Sequence, residues 1–117
     1  MRILVTGGAG FIGSHVIKKL LQQEENVVFN IDKMGYASNP YILDELIKQN
    51  SSISTNQYKF LNIDLASKSE TENAVEEAKP NLIMHLAAES HVDRSIDGPE
   101  EFIKSNILGT YNLLEAA

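Results

Sequence analysis

Short apolar runs alternate with amphipathic stretches along most of the chain. Strands covered on both faces in a parallel sheet are indicated by four runs rich in apolar residues: 3–5, 27–31, 58–63 and 82–86. Helices are indicated where apolar residues recur every three or four positions: 12–21, 42–47, 74–78 and 102–114. The order β-α-β-α-β-α-β-α predicts an α/β fold, a Rossmann-like doubly wound parallel sheet. Right-handed crossovers would give its strands the order 3-2-1-4.

Local signals indicate where two helices begin and end. The first helix is expected to run to about Gln22, because its apolar spacing continues to that point. Ser67 and Glu70 have the spacing of a capping box. Pro80 would end the helix that they open, since proline cannot continue a helix.

A glycine-rich turn, residues 6–13 with the sequence TGGAGFIG, follows the first strand. Two readings of the turn share Gly10 and Gly13. Adding Gly8 gives G-x-G-x-x-G, and adding Gly7 gives a glycine at every third position. Glycine permits the tight turn, lets a pyrophosphate approach and brings the helix close to the strand. The amides that begin the helix would face phosphate oxygens, so the turn predicts a dinucleotide site.

Asp32 ends the second strand, about 20 residues beyond the turn. A carboxylate there can accept hydrogen bonds from both hydroxyls of an adenosine ribose and would repel the 2′-phosphate of NADP, which favours NAD. Lys33 weakens this preference, because a cation beside Asp32 could accept a 2′-phosphate. The alternative is that Asp32 only ends a strand and begins a turn.

The composition excludes several classes of protein. At 117 residues the chain is one domain at most, and a net charge of −6 argues against a nucleic-acid or anionic membrane surface. With no cysteine it has neither disulfides nor thiolate metal sites. No apolar run approaches the ~20 residues of a membrane helix, and no signal peptide fits the start. A cytoplasmic chain with no nucleic-acid or membrane partner is expected.

The candidate residues converge at one edge of the predicted sheet. The glycine turn, Asp32, Asp64 and residues 87–95 all follow carboxyl ends of strands, where ligands bind in open α/β sheets. A complete Rossmann sheet has about six strands, and the last predicted helix leads into no further strand. We therefore expect residues 1–117 to be the N-terminal part of an NAD-binding Rossmann domain, with the substrate domain absent.

Four segments together resemble the extended short-chain dehydrogenase/reductases, and within them the dTDP-glucose 4,6-dehydratases. Many members share the glycine turn, whereas residues 86–95, LAAESHVDRS, are more selective. Residues 32–37, DKMGYA, and 106–117, NILGTYNLLEAA, are similar to the same group. Sugar-nucleotide epimerases and decarboxylases differ in the selective loop. GDP-mannose 4,6-dehydratases have a related loop but prefer NADP and lack the aspartate that ends strand two.

The resemblance implies an enzyme that holds NAD tightly and dehydrates dTDP-glucose to dTDP-4-keto-6-deoxyglucose. It also implies a homodimer in which the final helix joins a four-helix interface. Residues that would contact the pyrophosphate lie in the turn and the helix start: Gly7, Gly10, Phe11, Ile12 and Gly13. Residues that would hold the adenosine ribose follow strand two: Asp32, Lys33, Met34 and Gly35. The family usually has threonine in place of Gly35, which leaves that contact to the backbone.

The remaining contacts implied by the resemblance lie farther along the chain. Asp64 and Leu65 would flank the adenine, as an acceptor for its amino group and an apolar wall. Residues that would line the nicotinamide side follow strand four: Leu86, Ala87, Ala88 and Ser90, of which Ser90 would also contact the sugar substrate. Ser105 stands where the family usually has threonine and keeps the hydroxyl for a cofactor contact.

The chemistry itself is expected outside these residues. None of the 4 tyrosines has a lysine four positions on, so the family's catalytic Tyr-x-x-x-Lys pair and its acidic dehydration pair are expected beyond Ala117. The isolated chain is therefore expected to be inactive. No metal site is expected, and His85 is interpreted as a core or strand-face residue. Two alternatives stay open: another NAD-dependent sugar-nucleotide dehydratase or epimerase, and a non-catalytic nucleotide-binding module.

Overall fold

The computed structural model describes residues 1–33, 55–87 and 104–117. Its strands form one parallel sheet: β1 (Arg2–Thr6), β2 (Val27–Asp32), β3 (Tyr58–Asn62) and β4 (Leu82–His85). Their order is β3-β2-β1-β4, which confirms the predicted order 3-2-1-4. In this register Thr6 at the end of β1 pairs with Ile31 on one side and with His85 on the other.

Helices cover the sheet: α1 (Phe11–Leu20), α2 (Lys68–Ala78) and α3 (Gly109–Ala116). A 3-10 turn (Thr55–Gln57) precedes β3, and a π-helical segment (Lys104–Leu108) leads directly into α3. The helix α1 ends two residues before the predicted Gln22. The predicted helix at 42–47 lies outside the described residues.

Alternate residues of the strands feed two apolar layers on opposite faces of the sheet. One layer lies against α1 and contains Ile3, Val5, Ile17, Leu21 and Val28. The other lies against α2 and α3 and contains Leu4, Phe29, Ile31, Leu65, Ala74, Val75, Ala78 and Leu113. The near-continuous apolar runs of the sequence follow from this, because both faces of each central strand are covered.

The ends of α2 show how local sequence sets the fold. Ser67 is the N-cap, and its hydroxyl accepts a hydrogen bond from Glu70 N at 3.4 Å, as the capping-box spacing predicted. At the other end Lys79 takes a left-handed conformation, φ 43°, before Pro80. The Arg2 guanidinium reaches this terminus and donates from Nε to Ala78 O at 2.7 Å. In the described part of the chain no helix is long and apolar enough to cross a membrane.

Candidate cofactor site

The glycine turn is fastened to the carboxyl ends of two strands. Gly7 N donates to Ile31 O at 2.8 Å, and Ala9 N donates to the Asp32 Oδ2 at 3.0 Å, so both ends of the turn bind the end of β2. On the other side, Gly7 packs against the backbone of residues 86–87. The turn, Asp32 and the residues after β4 therefore meet at one edge, as the sequence predicted.

The space around each glycine decides between the two readings of the turn. Gly7 has φ 75°, and a Cβ there would lie 2.7 Å from Ala87 N. A Cβ on Gly13 would lie 2.8 Å from Gly8 Cα and would overlap Gly7 O, so the close approach of α1 to the turn requires glycine. A Cβ on Gly10 would meet only Gly7 O, at 3.4 Å, an ordinary contact. The chain's own packing does not require glycine at position 10, where a ligand approaches the backbone.

Gly8 has a different role, since it makes room for a buried side chain. A Cβ on Gly8 would overlap the Asn30 carboxamide and Ile17 Cδ1. Asn30 is fully buried and donates from Nδ2 to the Tyr58 hydroxyl at 3.0 Å. Its Oδ1 accepts no hydrogen bond from the residues that the structure describes. The three glycines with the roles of a dinucleotide turn are therefore Gly7, Gly10 and Gly13, while Gly8 serves internal packing.

The N-terminus of α1 opens at the same place. Gly10 is its N-cap, and the first helical hydrogen bond runs from Ser14 N to Gly10 O at 2.9 Å. The amides of Phe11, Ile12 and Gly13 precede that bond, so they have no partner within the helix. No side chain caps them and the first turn contains no acidic residue. These amides and the helix dipole suit an anion such as a pyrophosphate.

Asp32 lies buried beside this terminus, with one carboxylate oxygen bound to the turn. The contact with Ala9 gives it a definite structural function, which the sequence interpretation lacked. A fixed carboxylate next to a phosphate-binding turn is also suited to accept ribose hydroxyls. Lys33, directly after it, is exposed.

The two residues predicted to flank the adenine differ in exposure. Asp64 is exposed and its Oδ1 accepts a hydrogen bond from Ala66 N at 2.9 Å, which shapes the turn before α2. Leu65 is buried in the apolar layer beneath α2 and α3, so most of its side chain serves the core. Its carbonyl accepts from Asn112 Nδ2 at 2.8 Å and thereby links this turn to α3.

The residues after β4 are held by a network that the sequence analysis missed. The Thr6 hydroxyl accepts hydrogen bonds from Leu86 N at 3.0 Å and from Ala87 N at 3.1 Å. It also lies 2.6 Å from His85 Nδ1, while Nε2 of the same ring lies 2.8 Å from the Thr110 hydroxyl. Burial lowers the pKa of His85 below its usual 6.5. A threonine ending an apolar strand and a histidine ending its neighbour were the available signal.

Several predicted contacts cannot be placed. Met34, Gly35, Ala88 and Ser90 lie outside the described residues, as does the side chain of Ser105. Within the described ranges, no group of three or more histidine, cysteine, aspartate or glutamate residues could hold a metal ion.

Comparison with known proteins gives consistent matches over the whole chain. The model of the family described as GDP-mannose 4,6 dehydratase matches residues 4–117. A dTDP-glucose 4,6-dehydratase of Escherichia coli is 49% identical over 117 residues, which are 100% of this chain and 31% of that protein. The chain thus spans about a third of the length of the curated relatives that it matches.

Solved structures agree with the fold. DesIV of Streptomyces venezuelae, a dTDP-glucose 4,6-dehydratase solved with NAD bound, superposes with a TM-score of 0.84 at 36% identity, covering 100% of this chain and 35% of that one. A UDP-glucose 4-epimerase of Thermus thermophilus in complex with NAD gives a TM-score of 0.81 at 34% identity, covering 99% and 33%.

Proposed function

We propose, because the chain belongs to the GDP-mannose 4,6 dehydratase family, that it is the N-terminal part of the NAD-binding domain of a dTDP-glucose 4,6-dehydratase. The substrate domain of that enzyme would lie outside these residues. The names of the similar curated proteins support this substrate, since relatives at 45–49% identity are dTDP-glucose 4,6-dehydratases.

The space in front of Gly10 is the observation that carries the proposal. The turn brings an unhindered backbone, the uncapped amides of α1 and the Asp32 carboxylate to one edge of the sheet. Phe11 and Ile12 would bind the pyrophosphate through their amides, and Asp32 would bind the ribose hydroxyls through the carboxylate oxygen that does not hold Ala9. A dinucleotide carries these groups at a matching spacing, so the residues present fit it.

The Asp32 carboxylate supports NAD rather than NADP as the cofactor. It is buried and fixed by Ala9 N, so it cannot move away from a 2′-phosphate. Repulsion between two anions in a partly buried site is costly. Lys33 is too close in sequence to leave this balance unaffected, and a direct comparison of the two cofactors decides it.

This chain would bind and orient the cofactor without completing the reaction. Bound NAD would supply the reversible oxidation on which dehydration of the sugar depends. Removal of a proton from the C4 hydroxyl needs a general base within hydrogen-bond reach. The 117 residues contain no Tyr-x-x-x-Lys pair to supply one. We expect the chain alone to bind NAD and to leave dTDP-glucose unchanged.

The final helix supports a homodimer as the assembly of the parent enzyme. Its outer side exposes Ile107 at 65%, Tyr111 at 57% and Leu114 at 72%. Apolar side chains at helical spacing are suited to packing against the same helix of a second copy. A cytoplasmic location belongs to the same proposal.

Two measurements test the proposed function. Titration calorimetry of the chain with NAD and with NADP should show binding of NAD and weaker or undetectable binding of NADP. No heat with NAD, or stronger binding of NADP, contradicts the cofactor assignment. For the substrate, residues 1–117 can replace the matching segment of the Escherichia coli relative. The chimera should convert dTDP-glucose to the 4-keto-6-deoxy sugar, and a chimera that binds NAD but makes no such product contradicts the dehydratase assignment.

A UDP-sugar epimerase is the second candidate, because epimerase structures match the fold nearly as well. Their identities, 30–34%, lie below the 36% of DesIV and the 45–49% of the curated dehydratases. Formation of UDP-galactose from UDP-glucose by a chimera with an epimerase, together with an inactive dehydratase chimera, would favour the epimerase.

A further inference from the structure

The hydrogen-bond network at the end of β1 fixes the proton of the Thr6 hydroxyl. That oxygen is fully buried and accepts from the amides of Leu86 and Ala87, which occupies both of its lone pairs. Its own proton must therefore go to the remaining neighbour, His85 Nδ1, 2.6 Å away. Nδ1 of the ring is an acceptor and carries no proton.

The opposite end of the ring gives the same answer independently. The Thr110 hydroxyl donates to Asn106 O at 2.9 Å, so it must accept from His85 Nε2, 2.8 Å away. Nε2 carries the proton. His85 is therefore neutral in the Nε2–H form, and a doubly protonated ring would place two donors against each other at Thr6.

The ring joins two parts of the chain that are separate in sequence. One end holds, through Thr6, the amide of Ala87, whose bond to the Thr6 hydroxyl is 3.1 Å long. The other end orients the Thr110 hydroxyl toward Asn106, whose carbonyl lies inside the π-helical segment (Lys104–Leu108). Irregular π turns persist where another group supports them, and a threonine hydroxyl that bonds the carbonyl four residues back gives such support.

We propose that His85 is a positioning residue that couples the final helix to the nicotinamide side of the cofactor site, and that its protonation releases both ends together. The proposal rests on the proposed function for the identity of the ligand, but not for the network itself. When Nδ1 gains a proton, Thr6 must give up one of the amides that it holds. The Ala87 segment then loosens, and NAD affinity falls with it.

No other titratable group of the described residues competes for this role. The groups that face the ring are Thr6 from β1 and Thr110 from α3. The titratable side chains described on α3, Tyr111 and Glu115, are exposed, as are all the charged residues of α2. On β1, Arg2 lies at the opposite end of the strand and binds the terminus of α2.

Nuclear magnetic resonance on the chain tests the network without any ligand. The ¹⁵N spectrum of His85 should show the Nε2–H tautomer at pH 8. On acidification, the amide of Ala87 and the resonances of Thr110 should shift with the midpoint of His85, below pH 6.5. An Nδ1–H tautomer, or resonances of Ala87 and Thr110 that do not follow His85, would overturn the proposal.

The variant His85→Gln removes the titration, and its side-chain amide can still donate toward Thr110. We expect NAD binding by the wild type to weaken about tenfold between pH 8 and pH 5.5, the worth of about one hydrogen bond. His85→Gln should give a flat profile, whereas His15→Gln, at an exposed histidine of α1, should keep the wild-type profile. A pH profile that survives His85→Gln contradicts the coupling.

Two outcomes are kept apart by this design. If the wild type does not bind NAD at either pH, the proposed cofactor fails, and the resonances of Ala87 and Thr110 still decide the coupling. If His85→Gln does not fold, the titration of the wild type decides it. Thr110→Val offers a second test, because it cuts only the link to the helix and should leave the Ala87 amide in its wild-type position at pH 8.

Discussion

The carboxylate of Asp32 accepts a hydrogen bond from the backbone amide of Ala9 at 3.0 Å. The residue proposed to choose the cofactor therefore also holds the turn that binds its phosphates. Structure and specificity at this site depend on one side chain, and substitutions can separate the two.

Asp32→Asn should keep the turn in place and lose the choice of cofactor. The asparagine oxygen can still accept from Ala9 N, but it lacks the charge that repels a 2′-phosphate. We expect the ratio of NADP to NAD dissociation constants to fall about tenfold, with the unfolding free energy within ~1 kcal/mol of the wild type. Asp32→Ala should lose stability as well, because the Ala9 amide is left without its acceptor. Unchanged selectivity in Asp32→Asn would exclude the role in cofactor choice.

Substitutions of two glycines should separate binding from folding. Gly10→Ala places a methyl group where only Gly7 O lies nearby, so the fold should tolerate it while NAD binding weakens. Gly13→Ala forces the methyl group into Gly7 and Gly8 and should destabilise the chain by about 1–3 kcal/mol. Calorimetry with NAD and urea denaturation measure the two effects. Wild-type NAD affinity in Gly10→Ala would contradict the assignment of the ligand side.

Arg2 should stabilise the chain from the end of α2. Its guanidinium donates to the carbonyls of Ala78 and Glu77 and lies 4.9 Å from the centre of the Phe29 ring. Arg2→Met keeps the apolar stem but loses these contacts, and we expect a loss of about 1–2 kcal/mol in urea denaturation. Arg2→Lys, which keeps the charge without the planar donors, should recover part of it. Equal stability of Arg2→Met and the wild type would be inconsistent with this role.

Lys79 occupies a backbone conformation that favours glycine, with φ 43°. Lys79→Gly should raise the unfolding free energy by about 1 kcal/mol relative to Lys79→Ala. The alanine variant is the matched control, because both substitutions remove the charge and only one keeps a Cβ. Equal unfolding free energies for the two variants would show that the left-handed residue costs nothing here.

The stability of the chain should depend on the protonation of His85. Its pKa is lowered by burial in the folded state and stands at its ordinary value of 6.5 in the unfolded state. The unfolded chain thus binds more protons below pH 6.5, so the stability held by the neutral ring is complete above that pH and is lost as the pH falls through the folded pKa. The difference in unfolding free energy between wild type and His85→Leu should shrink from pH 7.5 to pH 5. A constant difference would contradict the lowered pKa.

Local signals were enough to predict much of the fold and part of the site. Ser67 and Pro80 mark the ends of α2 because caps and breakers act through the nearest backbone groups. The apolar runs predicted the strands, and crossover handedness predicted their order. The turn and Asp32 were found because their spacing along the chain reflects a local strand–turn–helix path.

Contacts between distant residues could not be obtained in that way. The bond between Thr6 and His85 spans 79 positions, and that between His85 and Thr110 spans 25. The π-helical segment gave no signal, because one additional residue in a helical turn leaves the apolar spacing almost unchanged.

The sequence by itself therefore determined a parallel α/β sheet with a dinucleotide turn at its carboxyl edge, since periodicity and local glycine spacing encode both. Only the tertiary structure decided which glycines do what. Gly7 and Gly13 are required by neighbouring backbone, Gly8 by Asn30, and Gly10 by nothing within the chain. That distinction depends on atoms brought together by the fold, and it marks Gly10 as the position where the chain leaves room for a ligand.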